Sequence, residues 1–353
     1  MAMSNSDFNG DGFDDLAIGV RGEGVEDLDD AGAVNVLRGS VGGLTTIGAQ
    51  IWHQDVPGVP GTAAAFDRFG FALAAGDFNG DGFDDLAVGA PEDAAGGVAD
   101  PGTVTLLLGA ATGLGTGGVQ LWHQASPGVP GVAERGDFFG SALAAGDFDG
   151  DGFADLAIGV RFEDVGDLSN AGAVNVLYGW AAGGLLGVTG QIWHQDSPGV
   201  PGVAEAGDQF GYALAAGDFD ADGFDDLAVG VPRDGASATG GTVLVLSGSA
   251  GGLVAAGAQV WHQASPGVPG VAEPGDLFGS ALFAGDFNGD GFADLAVGVP
   301  GEGVGDLFSA GAVNVLFGSA AGLTAAGAQI WDQASPGIPG VAEMFDEFGS
   351  VLA

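Results

Sequence analysis

Short apolar runs alternate with acidic, glycine-rich breaks along the whole chain, and no segment keeps a helical period over a useful length. Residues 141–195 show the pattern. It predicts a first strand of small residues at 141–148 (SALAAGDF) and a second, apolar and β-branched, at 155–160 (DLAIGV). A third is predicted at 173–178 (AVNVLY) and a fourth at 191–195 (QIWHQ), with Gly, Pro and Asp at the junctions. The same order recurs. The phrase D-F-[ND]-[GA]-D-G-F-[DA]-D-L-A-[IV]-G begins at Asp7, Asp77, Asp147, Asp218 and Asp286, at intervals of 70, 70, 71 and 68 residues. W-[HD]-Q begins at Trp52, Trp122, Trp193, Trp261 and Trp331, and G-[AT]-V-x-[VL]-L at Gly32, Gly102, Gly172, Gly241 and Gly311.

Five copies in register, with no spacer, predict one repeat architecture over residues 1–353 and exclude a helical solenoid. Four strands per copy arranged around a ring make an all-β fold, a five-bladed β-propeller of antiparallel blades. The Ala-rich first strand suits the crowded centre of such a ring. The second strand, apolar on both faces, suits a blade packed between two neighbours. The C-terminal FGSVLA reads as the start of a sixth copy and is expected to supply the first strand that the N-terminus lacks, closing the ring. Met1 to Ser6 stand at the same register position, so the two ends compete for one slot. The chain opens almost inside a motif, as a piece excised from a longer protein or an engineered array would.

Composition narrows the function. Six Arg and no Lys face 47 carboxylates, a formal charge of −41, so nothing could neutralise phosphates and nucleic-acid binding is excluded. The absence of Cys removes disulfides and Cys-based metal sites or nucleophiles. A hydrophobic content of 46% excludes a disordered acidic chain. No apolar stretch approaches a membrane span, and the start has no basic region or apolar core of a signal peptide.

The acidic turn carries the candidate chemistry. Oxygens at positions 1, 3, 5 and 9, with the backbone carbonyl of position 7, form a set suited to Ca2+, a hard cation taking six to eight oxygen ligands. The sets are Asp7, Asn9, Asp11, Phe13 and Asp15; Asp77, Asn79, Asp81, Phe83 and Asp85; Asp147, Asp149, Asp151, Phe153 and Asp155; Asp218, Asp220, Asp222, Phe224 and Asp226; and Asp286, Asn288, Asp290, Phe292 and Asp294. Glycine at position 6 permits the sharp turn. An EF-hand or dockerin-like loop opens in the same way but needs a carboxylate at position 12. Here that position is Ile18, Val88, Ile158, Val229 or Val297, so that reading fails. A lone acidic turn can be an Asx turn needing no ion. Five turns of three or four like charges each are unfavourable without cations, and about five Ca2+ per chain are expected.

These motifs together resemble the FG-GAP repeat of integrin α-subunit propellers and their bacterial relatives. Phe69-Gly70, Phe139-Gly140, Phe210-Gly211, Phe278-Gly279 and Phe348-Gly349 match the FG, and the calcium loop follows. Gly89-Ala90-Pro91 matches the GAP, with GVP at Gly230 and Gly298 and GVR at Gly19 and Gly159. The resemblance covers essentially the whole chain. It implies a calcium-stabilised propeller, extracellular or on a cell surface, used for adhesion or protein interaction. The integrin propellers have more numerous and shorter blades, and the near-identity of the copies here points to recent amplification or design.

Other features carry less. His53, His123, His194 and His262 sit one per repeat and cannot converge on a metal, so they read as strand residues beside Trp. The SPGVPG-type loops read as stiff connectors. The acidic loops with Glu23 and Asp27, Glu92 and Asp93, Glu163 and Asp167, Glu302 and Asp306 read as solvated charge. No unique catalytic constellation is present, so the expected function is a non-enzymatic calcium-binding scaffold for a protein ligand. The alternatives are a carbohydrate-binding propeller with repeated inter-blade sites and, third, a polysaccharide lyase. A monomer is expected, with a strand-exchanged dimer if neither end closes the ring.

Overall fold

A four-stranded blade has two apolar faces and no core of its own, so it is stable only when stacked between like blades. The computed structural model describes residues 6–95, 97–181, 183–235 and 240–352, and every helix or strand among them is a strand. Five antiparallel sheets follow one another, one per repeat. Blade 1 has three strands, β1 (Leu16–Val20), β2 (Ala33–Arg38) and β3 (Thr45–Trp52). Blade 2 has β4 (Leu73–Gly76), β5 (Asp85–Ala90), β6 (Thr103–Leu108) and β7 (Gly115–Trp122). Blade 3 has β8 (Phe139–Gly146), β9 (Asp155–Val160), β10 (Ala173–Trp180) and β11 (Gly184–Trp193). Blade 4 has β12 (Ala213–Gly217), β13 (Asp226–Val231), β14 (Thr242–Ser247) and β15 (Val254–Trp261). Blade 5 has β16 (Ala281–Gly285), β17 (Asp294–Val299), β18 (Ala312–Phe317) and β19 (Thr324–Trp331). Strand order within each blade is the order of the sequence, as expected for propeller blades.

The outer strand is longer than the sequence pattern predicted and ends at the Trp of W-[HD]-Q. In blade 3 it spans Gly184–Trp193, so His194 and Gln195 lie beyond it. Its Gly, Thr and Ala content hides it from a hydrophobicity reading. A register shift interrupts its pairing in every blade, between Val176 and Tyr178 in blade 3.

The cores lie between blades. Phe8, Val34 and Val36 of blade 1 pack with Leu86, Val88 and Leu107 of blade 2. The same chemistry recurs with Phe78 against Leu156 and Ile158, Phe148 against Leu227 and Val229, and Phe219 against Leu295 and Val297. The glycine of each GAP position is forced by this stacking. A Cβ at Gly89 would collide with the carbonyl oxygen of Gly140 in the FG turn of the next repeat. Across each junction a Gln amide on the outer strand donates to a Leu carbonyl of the next blade. At three of the four junctions the same Leu N–H donates back to the Gln; at the junction of blades 3 and 4, Leu253 N donates to the Tyr178 hydroxyl instead. Gln50 Nε2 donates to Leu114 O (2.8 Å), and Leu114 N donates to Gln50 Oε1 (3.1 Å). Near the centre, the Arg161 guanidinium lies 5.0 to 5.7 Å from the rings of Phe71, Phe138, Phe162 and Tyr212, which come from three repeats.

The expected closing strand is not formed. Residues 348–352 carry no strand, and Phe348 N donates to Ala310 O (3.0 Å), which keeps the segment on blade 5. The physical reason is the phase of the repeat. Each FG pair docks on the preceding blade, as Phe69 does on Ala31, and then leans on the following one, as Gly70 N does on Gly89 O (3.0 Å). Of the competing N-terminal segment, Met1 to Asn5 lie outside the described residues. Among the described residues no hydrogen bond and no hydrophobic cluster joins blade 5 to blade 1. The ends are correspondingly exposed. Phe287 is 48% accessible, whereas Phe8, Phe78, Phe148 and Phe219 are at 0%. Leu16 and Ile18 on β1 are 43% and 39% accessible, against 1% or less at the same positions of the other blades.

Truncating a junction phenylalanine should therefore be costly and truncating the terminal one should not. Phe148→Ala is expected to lower unfolding free energy by about 3–5 kcal/mol. Phe287→Ala is expected to cost less than about 1 kcal/mol. Urea unfolding of the two variants in dilute solution checks the contrast, and equal losses would contradict the open ends.

Candidate metal centre

Each acidic turn joins the inner strand to the second strand of a blade, or in blade 1 leads directly into β1. The first Asp organises the turn by accepting backbone N–H groups. Asp147 Oδ1 accepts from Gly150 N (2.7 Å) and Asp151 N (3.1 Å), and its Oδ2 accepts from Gly152 N (3.0 Å). The set repeats at Asp7, Asp77 and Asp286, and Asp218 keeps the bonds from Asp222 N and Gly223 N. Position 5 turns the chain again. Asp11, Asp81, Asp151, Asp222 and Asp290 accept the N–H of Phe13, Phe83, Phe153, Phe224 and Phe292, all at 3.0 or 3.1 Å.

The side chains at positions 1, 3 and 5 converge. Oxygens of Asp147, Asp149 and Asp151 lie within 4.8 Å of one another, as do those of Asp218, Asp220 and Asp222. In the remaining loops position 3 is Asn9, Asn79 or Asn288. Asn79 Oδ1 accepts from Asp81 N and Asn288 Oδ1 from Asp290 N, both at 2.8 Å, whereas Asn9 Nδ2 donates to both oxygens of Asp15 (3.2 and 3.0 Å). Over loop 4 lies an open acidic cleft of about 330 Å3, lined by Asp220, Asp222, Asp226, Gln259 and Gly322.

Position 9 differs in kind. Asp15, Asp85, Asp155, Asp226 and Asp294 are buried at the start of the second strand and tie the turn to the third strand. Asp155 Oδ2 accepts from Phe148 N (2.9 Å) and Oδ1 from Gly179 N (2.9 Å). Burial pushes Asp85 and Asp155 up to about 8 and Asp226 up to about 7, and it raises Asp294, because two or so backbone N–H groups only partly offset lost hydration. The neighbouring carboxylates of the same loop push in the same direction. A donor set of hard oxygens with an uncompensated buried carboxylate fits a divalent oxygen-seeking cation.

Two positions not singled out from the sequence link the loops into a series. Position 8 of one loop bonds position 1 of the preceding loop, as Asp84 N does to Asp7 O (3.2 Å) and Asp225 N to Asp147 O (2.9 Å). Where position 8 is Asp, its carboxylate also accepts the returning N–H, Asp7 N to Asp84 (3.0 Å) and Asp147 N to Asp225 (2.9 Å). In the first three loops the position-7 ring of the next loop covers the position-4 glycine: a Cβ on Gly10 would come within 2.7 Å of Phe83. The five-copy repeat could have exposed both positions, since position 4 varies only at Ala221 and position 8 only between Asp and Ala.

The remaining candidates are placed as follows. The four histidines follow the outer strands of blades 1 to 4, one in each, with Asp332 at that place in blade 5, and do not come together. The acidic loops are not simply solvated: Asp93 and Glu163 are buried and accept from Gln54 (2.8 Å) and Gln124 (2.6 Å) of the preceding repeat, and Glu302 accepts from Gln263. Burial, reinforced by nearby carboxylates (Asp137 and Glu134 beside Glu163, Asp276 and Glu273 beside Glu302), pushes Glu163 and Glu302 up to about 7. Asp67 is raised to about 7, and Asp137 and Asp208 to about 6, for the same first reason.

A family model described as "FG-GAP repeat" matches residues 1–37, 69–107, 139–177, 210–246 and 278–316, more than half of the chain. The chain belongs to the FG-GAP repeat family. It is 32% identical over 241 residues to "Integrin alpha pat-2" of Caenorhabditis briggsae, an alignment covering 66% of this chain and 18% of that protein. It is 30% identical over 244 residues to "Integrin alpha-5" of Xenopus laevis, covering 68% of this chain and 21% of that one. "Phosphatidylinositol-glycan-specific phospholipase D" of Rattus norvegicus is 35% identical over 168 residues, covering 47% and 19% respectively. The chain thus spans about a fifth of the length of the curated relatives it matches. Among solved structures, a Bacillus licheniformis rhamnogalacturonan lyase aligns at TM-score 0.39 and 12% identity over 75% of this chain and 47% of that one. The FG-GAP repeats and the integrin α relatives make this an integrin-like repeat propeller.

Raised carboxyls fix the pH dependence of the metal-free chain. Between the ordinary value of about 4 and the folded values of about 6 to 8, the native state holds protons that the unfolded chain has released. Unfolding free energy then falls as pH rises through that window and levels off above it. Thermal melts in EDTA should give a higher Tm at about pH 5 than at about pH 8. A Tm that rises across the same interval would contradict the assignment.

Proposed function

We propose that this FG-GAP propeller is a non-enzymatic, calcium-stabilised scaffold that presents its surface to a protein partner outside the cell, its 353 residues acting as one domain. The observation that carries the calcium reading is the convergence of three acidic side chains within 4.8 Å in loops whose fourth carboxylate is buried without a cation to balance it. The residues that would hold each ion are those at positions 1, 3, 5 and 9 with the position-7 carbonyl, from Asp7 to Asp15 in the first loop and through Asp286 to Asp294 in the fifth. Bound Ca2+ supplies charge neutralisation and fixes the turn; it needs no further chemistry. The chain's own residues position the site, the first Asp by collecting backbone N–H groups and the ninth by tying the turn to the blade.

The non-enzymatic reading rests on repetition. Five near-equivalent loops provide no unique constellation of acid, base or nucleophile, and the four histidines are dispersed singly over blades 1 to 4. The carbohydrate-binding alternative is less well supported, because four of the five repeated tryptophans are not free platforms, Trp331 being the exposed one. Trp52 is buried, and Trp122, Trp193 and Trp261 pack against the inter-blade cores. The placement outside the cell follows the integrin resemblance. Among the described residues no helix is long and apolar enough to cross a membrane.

Calcium that binds only the folded chain at a Kd of about 10⁻⁴ M, with about 2 mM ion, adds about 1.8 kcal/mol per site. Five independent sites would add roughly 9 kcal/mol, as much as the stability of an ordinary domain. Chelation should lower Tm by more than about ten degrees. Asp151→Ala should remove one bound equivalent and about a fifth of the stabilisation, because each repeat acts mainly on its neighbours. Metal analysis after dialysis against trace calcium, with paired melts, tests this. Two or fewer equivalents, or an EDTA melt that overlays the calcium melt, would overturn the proposal.

A further inference from the structure

Five residues that break the repeat meet at one place, on the face of the array away from the acidic turns. Each second strand starts at its turn and ends on the opposite face. Arg161 follows the second strand of blade 3, where three of the other four copies have Pro. Phe162 comes next, and no other copy has an aromatic residue there. Phe138 precedes its FG pair, where the other copies have Arg, Gln, Leu or Glu. Phe71 and Tyr212 follow theirs, where the remaining three copies have Ser. The Phe71 N–H donates to Gly89 O (3.1 Å) and the Tyr212 N–H to Gly230 O (3.2 Å). The cluster therefore belongs to blades 2 to 4 and to neither end of the array.

The rings hold the guanidinium without satisfying it. Its carbon lies 5.0 Å from the Phe162 centroid, 5.3 Å from Phe138, 5.6 Å from Phe71 and 5.7 Å from Tyr212, within the range of cation–π attraction. A ring face attracts the charge but offers the guanidinium N–H groups no carboxylate-like lone pair. Among the described residues Arg161 makes no ion pair, and its Nε is buried with no hydrogen-bond acceptor. Its terminal nitrogens find none either and remain open to solvent. Glu92, the carboxylate that acts on its charge, is already held by Arg68 (Oε1 to Nη1, 2.8 Å). A half-buried Arg thus lacks a carboxylate in a chain that has 47 of them.

We propose that this cluster binds a single carboxylate, the Asp or Glu side chain of a protein partner, with Arg161 as the donor and the four rings as the walls that fix it. The inference rests on the reading of the chain as a scaffold for a protein partner and names the group recognised. The planar guanidinium fork matches the two oxygens of a carboxylate, and a pair walled by rings is shielded from water, which strengthens it. A neutral ligand would leave the charge unpaired. A polyanion meets the field of a chain with a formal charge of −41, which disfavours it far more than an isolated carboxylate on a neutral or basic surface. This combination of residues occurs once in the five copies, so one carboxylate binds per chain.

NMR of the Arg Nε–H groups in the full chain tests it, because only six Arg contribute signals. The Arg161 signal is assigned by its loss in Arg161→Lys. Titration with N-acetyl-aspartic acid amide should move that signal and saturate in the millimolar range, as one charge-assisted pair gives. N-acetyl-asparagine amide, of the same shape without the charge, should leave it in place, and sulfate at equal ionic strength should move it less. Saturation transfer to the acetyl methyl of the aspartate probe reads binding in the variants. Arg161→Gln should lose it, and Arg161→Lys, which keeps the charge but not the fork, should weaken it severalfold. Arg135→Gln, at an exposed Arg outside the cluster paired with Asp100 (3.9 Å), should bind as the wild type does. Circular dichroism reports whether each variant has folded, and the wild-type titration stands without them. An Arg161 signal that does not move, equal responses to the two amides, a stronger response to sulfate, or a folded Arg161→Gln that binds normally would each overturn the proposal. All are read with calcium present, so they bear on the carboxylate site alone, whereas the metal count and paired melts bear on the scaffold reading.

Discussion

Burial between blades is the constraint on which the rest of the structure depends. No blade encloses a core; each core is made from the position-2 phenylalanine and third strand of one blade and the second strand of the next. Repetition of the sequence follows, since every interior blade must present the same two faces. The glycine of the GAP position follows too, because the FG turn of the next repeat passes where a Cβ would stand. So do the exposed ends, where the same residues find no neighbour.

The acidic turns inherit their geometry from this stacking. Position 9 opens the second strand and is therefore drawn into the buried layer, where its carboxylate has backbone donors but no countercharge. Positions 1 and 8 of successive turns bond one another, so the turns form a linked series along one side of the array. A cation in one loop would stiffen the position-1 carbonyl that the next loop depends on. Twenty of the 47 carboxylates stand in the five acidic turns, and the chain has only six Arg.

Much of this was legible in the sequence. The five phrases beginning at Asp7, Asp77, Asp147, Asp218 and Asp286 gave blade number, strand order and the members of each turn, because a repeat displays its own register. The failures have physical reasons. FGSVLA looked like a closing strand because its sequence matches the first strand of other copies, but a strand forms there only when a following second strand is present to pair with it. The outer strands were read short because Gly and Thr at their bulges carry little hydrophobic signal. Asp93 and Glu163 looked like solvated charge, and only the fold shows that Gln54 and Gln124 of the preceding repeat reach them. Arg161 stood out in no pattern; its four aromatic neighbours come from three repeats and meet only at the centre.

The central claim is that the acidic turns are cation sites and not self-sufficient loops. A crystal structure grown in calcium, with anomalous scattering used to locate the ions, tests it most directly. The account predicts one ion in each of the five turns, held at about 2.3–2.6 Å by the side chains at positions 1, 3, 5 and 9 and the position-7 carbonyl. Turns that keep their internal N–H to carboxylate bonds with no anomalous density at their centres would contradict it.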